Sequence, residues 1–380
     1  MRLIVRTGLL VTALVVLGPH SGSAQGNLST QGFGYPLGGL STRALSTGGA
    51  SGEFDPRSSR NPAALSAWLR AGLFFQYDPE FRRVSLGEAE DRTVTPRFAA
   101  IGAAFPVKSR GMLGLSTHSF LDRTWSTTIR SGERLGTDSV LFTETNGSSG
   151  AINDTRLSFA YLLGTKVSVG AALHLFTGEN RLELRRQFDD SLRYGTLNRS
   201  LTLAYSGTGV SAGIVVQPVS WFSAAASTRR GGTMKLRVVD TLRTEATVPD
   251  RFGFAARMDA IPGLSLLASA DRTSWSRLNG LGTDNATARD AWEYAVGAEI
   301  SAQRARITNW VYSVGYRTRE LPFAAAGKQV TERSLTGGLS APLAGSRATI
   351  DLGLQRATRD AGSNVKERAW LLSLGLTVRP

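Results

Sequence analysis

Between Ala67 and Val378 the chain reads as fourteen segments in which apolar and polar residues alternate, and the connections between them are short and long in turn. Successive side chains on a β-strand point to opposite faces, so alternation predicts strands with one apolar and one polar face. In Arg347 to Gln355, Ala348, Ile350, Leu352 and Leu354 share one face while Thr349, Asp351 and Gln355 share the other. Leu372, Leu374, Leu376 and Val378 stand against Ser373, Gly375, Thr377 and Arg379. Leu157, Phe159, Tyr161 and Leu163 repeat the pattern, as do Trp310, Tyr312, Val314 and Tyr316.

Six connections are tight and rich in Pro or Gly: Pro106–Arg110, Gly164–Thr165, Pro218–Ser220, Ala260–Pro262, Ala302–Ala305 and Pro342–Ser346. Seven are longer and polar: Asp78–Thr95, Gly132–Gly150, Gln187–Asn198, Thr241–Pro249, Arg277–Ala288, Glu320–Gln329 and Arg359–Glu367. Six turns and seven loops are what fourteen up-and-down strands need, and in outer-membrane barrels the short turns face the periplasm. The expected fold is all-β: a 14-stranded antiparallel transmembrane β-barrel, its apolar faces toward lipid. A soluble β-sandwich also alternates, but strands this long and this numerous suit a bilayer better. Trp68, Trp221, Trp292 and Trp370 near strand ends fit an interfacial aromatic girdle.

Met1–Ala24 has a basic start (Arg2, Arg6), an apolar stretch from Leu9 to Leu17 and a small-residue end at Gly22-Ser23-Ala24. It reads as a secretory signal peptide. No other run approaches the ~18 apolar residues of a spanning helix, which leaves a closed barrel as the membrane-crossing form. The expected location is the bacterial outer membrane.

The chain has no Cys, and after the leader His118 and His174 are the only histidines, so neither a metal nor a cofactor is expected. Lys and Arg number 44 against 30 Asp and Glu, nearly all of the excess as Arg. Basic loops suit lipopolysaccharide phosphates, lumenal arginines suit anions, and codon bias in a GC-rich genome explains the same count. The charge is scattered rather than striped, which argues against nucleic acid. Neither histidine lies in a Gly-x-Ser-x-Gly or comparable setting, so an enzyme is not expected.

Residues 25–66 are too rich in Gly and Ser for strands. A flexible leader is one reading, and a turn at Asn61-Pro62 another. The segment carries Arg43-Ala44, Gly48-Gly49-Ala50 and, directly before the first strand, Ser59-Arg60-Asn61-Pro62-Ala63. Further on come Pro249-Asp250-Arg251-Phe252-Gly253, Ser269-Ala270-Asp271-Arg272-Thr273-Ser274-Trp275-Ser276 and Arg333–Ser340 with Ala348–Leu354. Together these resemble the FadL family of outer-membrane transporters of long-chain fatty acids and other hydrophobic compounds.

The resemblance implies three regions: a signal peptide (1–24), an N-terminal hatch that plugs the lumen (25–66) and the barrel (67–380). It also implies passive transport of a hydrophobic small molecule, leaving through a side opening made by a kink in the third strand. That strand, Gly111 to Ser131, has neither Pro nor Gly between Leu115 and Ser131, and Asp122-Arg123 is its only irregularity. Asn61, Pro62 and Ala63 would form the hatch end that anchors the plug to the wall. Pro fixes its own φ and restricts the residue before it, giving a stiff joint, and Asn61 can hydrogen-bond nearby backbone. Relatives of this kind also include barrels that act as secretion accessories or surface scaffolds, for which the partner would be a protein. A general porin is disfavoured, because fourteen strands enclose less than the ~16–18 of open porins.

Overall fold

The computed structural model describes residues 34–379 apart from 87–88, 137, 282–286, 302–309, 326, 344–346 and 361–364. The leader expected over 1–24, residues 25–33 and the turn expected at Ala302–Ala305 lie outside the described residues.

A first short strand, β1 (Tyr35–Pro36), belongs to a segment held inside a barrel. The first wall strand is made of β2 (Gly72–Tyr77) and β3 (Glu80–Leu86), the second of β4 (Ala89–Thr95) and β5 (Ala100–Val107), the third of β6 (Gly111–Asp122) and β7 (Trp125–Leu135). The fourth to seventh are β8 (Asp138–Leu163), β9 (Val167–Phe188), β10 (Leu197–Val219) and β11 (Phe222–Val238). The eighth joins β12 (Thr241–Thr247) and β13 (Arg251–Ile261). Then β14 (Leu264–Thr273), β15 (Ala291–Ser301), β16 (Val311–Ala325), β17 (Lys328–Leu343), β18 (Ala348–Asp360) and β19 (Val365–Val378) complete fourteen. All neighbours are antiparallel, and the ring closes where β19 pairs with β2 and β3. Among the described residues no helix is long and apolar enough to cross a membrane.

The alternation falls as expected. Ile350, Leu352 and Leu354 face outward while Asp351 and Gln355 are buried inside. Leu372, Leu374, Leu376 and Val378 face outward, as do the rows ending at Leu163 and Tyr316. Trp221, Trp292 and Trp370 lie on the outer surface, as a girdle requires, but Trp68 is buried at 5 % exposure. It ends a short 3-10 helix inside the barrel and packs with Leu65, Phe74 and Met112.

Most of the expected long loops turn out to be strand. β8, β9 and β10 run for 26, 22 and 23 residues, about twice the 9–11 that cross a bilayer. Where loops 78–95, 132–150 and 241–249 are expected, β3 pairs with β4, β7 with β8 and β12 with β11. Apolarity marks where lipid is, not where a strand ends. Beyond the lipid the backbone still gains by pairing with its neighbour, and Thr127, Thr128, Thr143 and Thr145 suit a pleated surface wetted on both faces.

The lumen holds the N-terminal segment. Ser41 caps a short helix, α1 (Thr42–Ser46), accepting a bond from the Ala44 amide, and a 3-10 helix spans Pro62–Trp68. Leu69 ends that helix in the left-handed region, and the first wall strand starts at Gly72. The segment approaches the wall closely where the wall carries glycine. A Cβ at Gly170 would meet the Pro62–Ala63 backbone, one at Gly213 the Asn61 side-chain oxygen, one at Gly315 the Thr47 backbone.

Leu352 sits mid-way along its lipid-facing row. Leu352→Arg should lower folding stability in lipid bilayers by about 2–4 kcal/mol, the cost of a cation near the midplane, measured by denaturant titration. A change under 0.5 kcal/mol would place Leu352 away from lipid.

Candidate functional site

Asn61 is 1 % exposed and spends its whole amide on local structure. Its Oδ1 accepts from the Ala63 amide at 2.9 Å, capping the 3-10 helix. Its Nδ2 donates to the Glu53 carbonyl at 3.1 Å within the segment and to the Ile214 carbonyl on β10 at 3.2 Å. Pro62 occupies the first helical position, where it has no N–H to leave unsatisfied, and Asn61 adopts the extended conformation that a following Pro favours. Ala63 accepts a bond at its carbonyl from Ser168 on β9 at 2.8 Å. The three expected residues therefore meet at one joint between segment and wall.

The rest of the segment is held by ions that sequence reading does not single out. Arg43 forms a bidentate pair with Glu299 at 2.8 Å for both bonds, Arg57 pairs with Asp55 and Asp351, and Arg60 bridges Asp271 and Glu293. Arg251 on β13 pairs with Glu53 of the segment and with Asp271. Three arginines of the segment thus answer wall carboxylates on three separate strands, β14, β15 and β18. A buried charge is tolerated when it is paired and hydrogen-bonded, so the segment neutralises a lumen that would otherwise hold unpaired acids.

Tyr35 is the densest node. Its hydroxyl donates to Glu332 at 2.7 Å and accepts from Arg359 at 2.7 Å and from Arg319. The guanidinium carbons of Arg359, Arg319, Arg97 and Arg82 lie 4.4, 4.9, 5.2 and 5.8 Å from its ring centre. Tyr35–Pro36 also pairs as a strand with Asp122 and Leu121 of β6.

That pairing marks an interruption in the wall. β5 and β6 stay paired from Gly111 to His118, after which the register of β6 against β8 slips between Ser119 and Leu121. Phe120, Leu121 and Asp122 are all buried, so the two-residue period fails there, as at a bulge. The third wall strand then breaks at Arg123–Thr124 before resuming as β7. Among the described residues β4 pairs only with β3, and β7 only with β8. The wall is therefore unpaired between its second and third strands at this level. The break falls beside Asp122-Arg123, the one irregularity of the sequence, and it needs neither Pro nor Gly, because a bulge takes any side chain that finds somewhere to pack.

Phe120 finds that place at the long-loop end of the lumen. It stacks on Trp275 at 5.3 Å between ring centres and meets Phe176 edge-on at 5.0 Å. Tyr205, Met234, Val248, Leu278, Leu281 and Ala288 complete an apolar cluster. Trp275–Leu278 is a 3-10 turn that folds inward from the connection after β14, so part of an expected outer loop closes the mouth. Below the cluster lies a cavity of about 80 Å³ lined by Arg60, His118, Asp154, His174, Ser211 and Arg229, among others. Ligand pockets usually measure about 300–1,000 Å³, so a long acyl chain does not fit this cavity; a second one of about 470 Å³ lies elsewhere, lined by Arg43, Arg57, Arg257, Glu299 and Asp351.

Asn61→Ala removes the cap and leaves the Ile214 and Glu53 carbonyls without their partner. Loss of such a cap costs about 1 kcal/mol, so amides over residues 53–66 should exchange several-fold faster while the barrel keeps its folded gel mobility. Exchange rates equal to the wild type would remove Asn61 as a joint.

No protein-family model matches this sequence, and no curated protein does. Solved structures do match. The chain is similar to the crystal structure of a Pseudomonas aeruginosa FadL homologue, with a TM-score of 0.62 at 15 % identity over 91 % of this chain and 99 % of that one. It is similar to the Ralstonia pickettii toluene transporter TbuX, with a TM-score of 0.59 at 16 % identity over 90 % and 99 %. The Pseudomonas putida toluene transporter TodX aligns with a TM-score of 0.57 at 13 % identity over 90 % and 99 %. The chain, a closed ring of fourteen antiparallel strands, shares its fold with these outer-membrane-type barrels.

Proposed function

We propose that this protein is an outer-membrane channel for hydrophobic small molecules, with residues 25–66 as its hatch. The observation that carries the reading is the break in the third wall strand, because it opens the wall beside an apolar cluster inside an otherwise ionic lumen. A hydrophobic solute has no favourable path down a lumen lined by paired charges. It gains by resting among Phe120, Phe176 and Trp275 and then moving sideways into the apolar bilayer core. Transport along this route is passive, driven by the concentration difference alone.

The cluster and the small cavity favour solutes of single-ring size over long-chain fatty acids, in keeping with the toluene transporters among the similar folds. A longer ligand would need the hatch to shift. Asn61-Pro62-Ala63 is the joint that resists that shift, through Ile214 and Ser168.

The test is uptake of radiolabelled toluene and of a labelled long-chain fatty acid by cells lacking their own outer-membrane carriers, with and without this protein inserted. Toluene uptake should rise several-fold and fatty acid uptake less. Deleting residues 26–62 should alter toluene uptake while the barrel stays folded. Equal uptake with and without the protein, despite proven folding, would overturn the reading.

A further inference from the structure

Three polar residues of the cavity wall are arranged more tightly than a channel lining requires. Asp154, His174 and Ser211 lie on the adjacent strands β8, β9 and β10, and all three side chains are buried. His174 Nδ1 lies 2.8 and 3.0 Å from the two carboxylate oxygens of Asp154, and His174 Nε2 lies 2.8 Å from Ser211 Oγ. An ionised carboxylate only accepts, so Nδ1 carries the proton and Nε2 is left as an acceptor. The Ser211 hydroxyl then donates to Nε2. This is the order and the choice of ring nitrogens of a nucleophile, a base and its orienting acid. The ring of His174 is fixed further by stacking on Phe176 at 5.9 Å, with an interplanar angle of 9°.

A cation stands on the strand next to Ser211 and lines the same cavity. This is Arg229, the direct cross-strand partner of Ser211. Its Nε is buried with no hydrogen-bond partner, while its Nη2 donates to the Pro249 carbonyl at 3.3 Å and its Nη1 lies 3.9 Å from a carboxylate oxygen of Asp154. A buried guanidinium N–H without a partner is costly, and a negatively charged oxygen from a ligand would satisfy it. The same guanidinium sits 5.1 Å from the ring centre of Phe120 and 5.5 Å from that of Phe176. The polar floor of the cavity and the aromatic cluster therefore meet at one point.

We propose that Ser211, His174 and Asp154 form a hydrolytic triad inside the barrel, with Arg229 as oxyanion partner, which cleaves short-chain esters of hydrophobic, ring-sized alcohols. The cavity of about 80 Å³ takes a short acyl group, and the aromatic cluster takes the alcohol. Ser211 Oγ bonds to the ester carbonyl carbon as its proton passes to His174 Nε2, and the carbonyl oxygen becomes an oxyanion facing Arg229. Collapse breaks the ester C–O bond, and the alcohol leaves with the proton from His174. Water then attacks the acyl-serine, its proton passing to Nε2. The acid departs as Ser211 regains its hydrogen, so ester and water become acid and alcohol. The proposal rests on the channel reading only for the route by which the ester arrives. Sequence spacing hides the site, because its members stand 20 and 37 residues from His174 on strands that have no nucleophile-elbow motif.

The test uses the folded, detergent-solubilised full chain with phenyl acetate as substrate and phenylmethanesulfonyl fluoride as probe. The probe should add its sulfonyl group to Ser211, located by peptide mass spectrometry, and hydrolysis should fall in step with labelling. Ser211→Ala and His174→Ala should each lower kcat by at least about 100-fold, and Asp154→Asn should lower both kcat and the labelling rate. Wild-type protein that is neither labelled at Ser211 nor faster than detergent alone would overturn the triad, as would activity that survives Ser211→Ala. In that case the three residues are a hydrogen-bond chain that only satisfies buried polar atoms. Toluene uptake is measured separately on the wild type. Hydrolysis without uptake would sink the channel and leave the triad; uptake without label or hydrolysis would sink the triad alone.

Discussion

Every backbone N–H and C=O in hydrocarbon must find a partner within the protein, and a closed ring of strands meets that demand without an edge. Much that is distinctive about this chain follows from a place, among the described residues, where the ring is not closed on itself. At Leu121–Asp122 the partner on the second-strand side is no longer β5 but β1, reaching out from inside the lumen. The N-terminal segment is thus part of the wall's hydrogen bonding as well as its filling. Where the segment sits and where the wall opens are one structural fact, held at Tyr35.

A second demand comes from the lumen. Inward-facing Asp271, Glu293, Glu299, Glu332 and Asp351 cannot stay ionised in a filled interior without cations close by. Some of those cations stand on the wall, as Arg319 and Arg359 do, and others arrive on the segment as Arg43, Arg57 and Arg60. These lumenal arginines are therefore structural, since Arg holds two carboxylates in fixed directions where Lys would offer a point charge. Glycines on the wall then allow the segment's backbone close enough for these pairs to form.

Strand number, chain direction and the lipid-facing rows were legible in the sequence, because a bilayer imposes a strict two-residue period on any strand that crosses it. Ile350, Leu352 and Leu354 show this directly. The extents of β8 to β10 were not legible, since above the lipid neither face needs to be apolar and the period loses its meaning. Asn61-Pro62-Ala63 came forward through the family resemblance, and local chemistry by itself offered only a stiff turn there. Tyr35, with partners 284 to 324 residues away, and the group around His174 depend on the ring bringing distant strands together, and no spacing records that. The bulge at Phe120 escaped for a related reason: it is set by the aromatic cluster that receives the side chain, not by a residue with special backbone freedom. Trp68 went to the interior because Leu65 and Phe74 were there to pack with it.

The position of the closing seam bears on how such a molecule can be assembled. β19 pairs with β2 and β3, so the last contact of the ring involves the first wall strand, which directly follows the segment in the chain. A segment so tightly fitted to the wall glycines could hardly be threaded through a finished barrel. A ring that closes around it needs no threading. The order of synthesis, with the segment exported ahead of the wall and the seam formed at the end, makes the filling of this barrel a matter of wrapping rather than insertion.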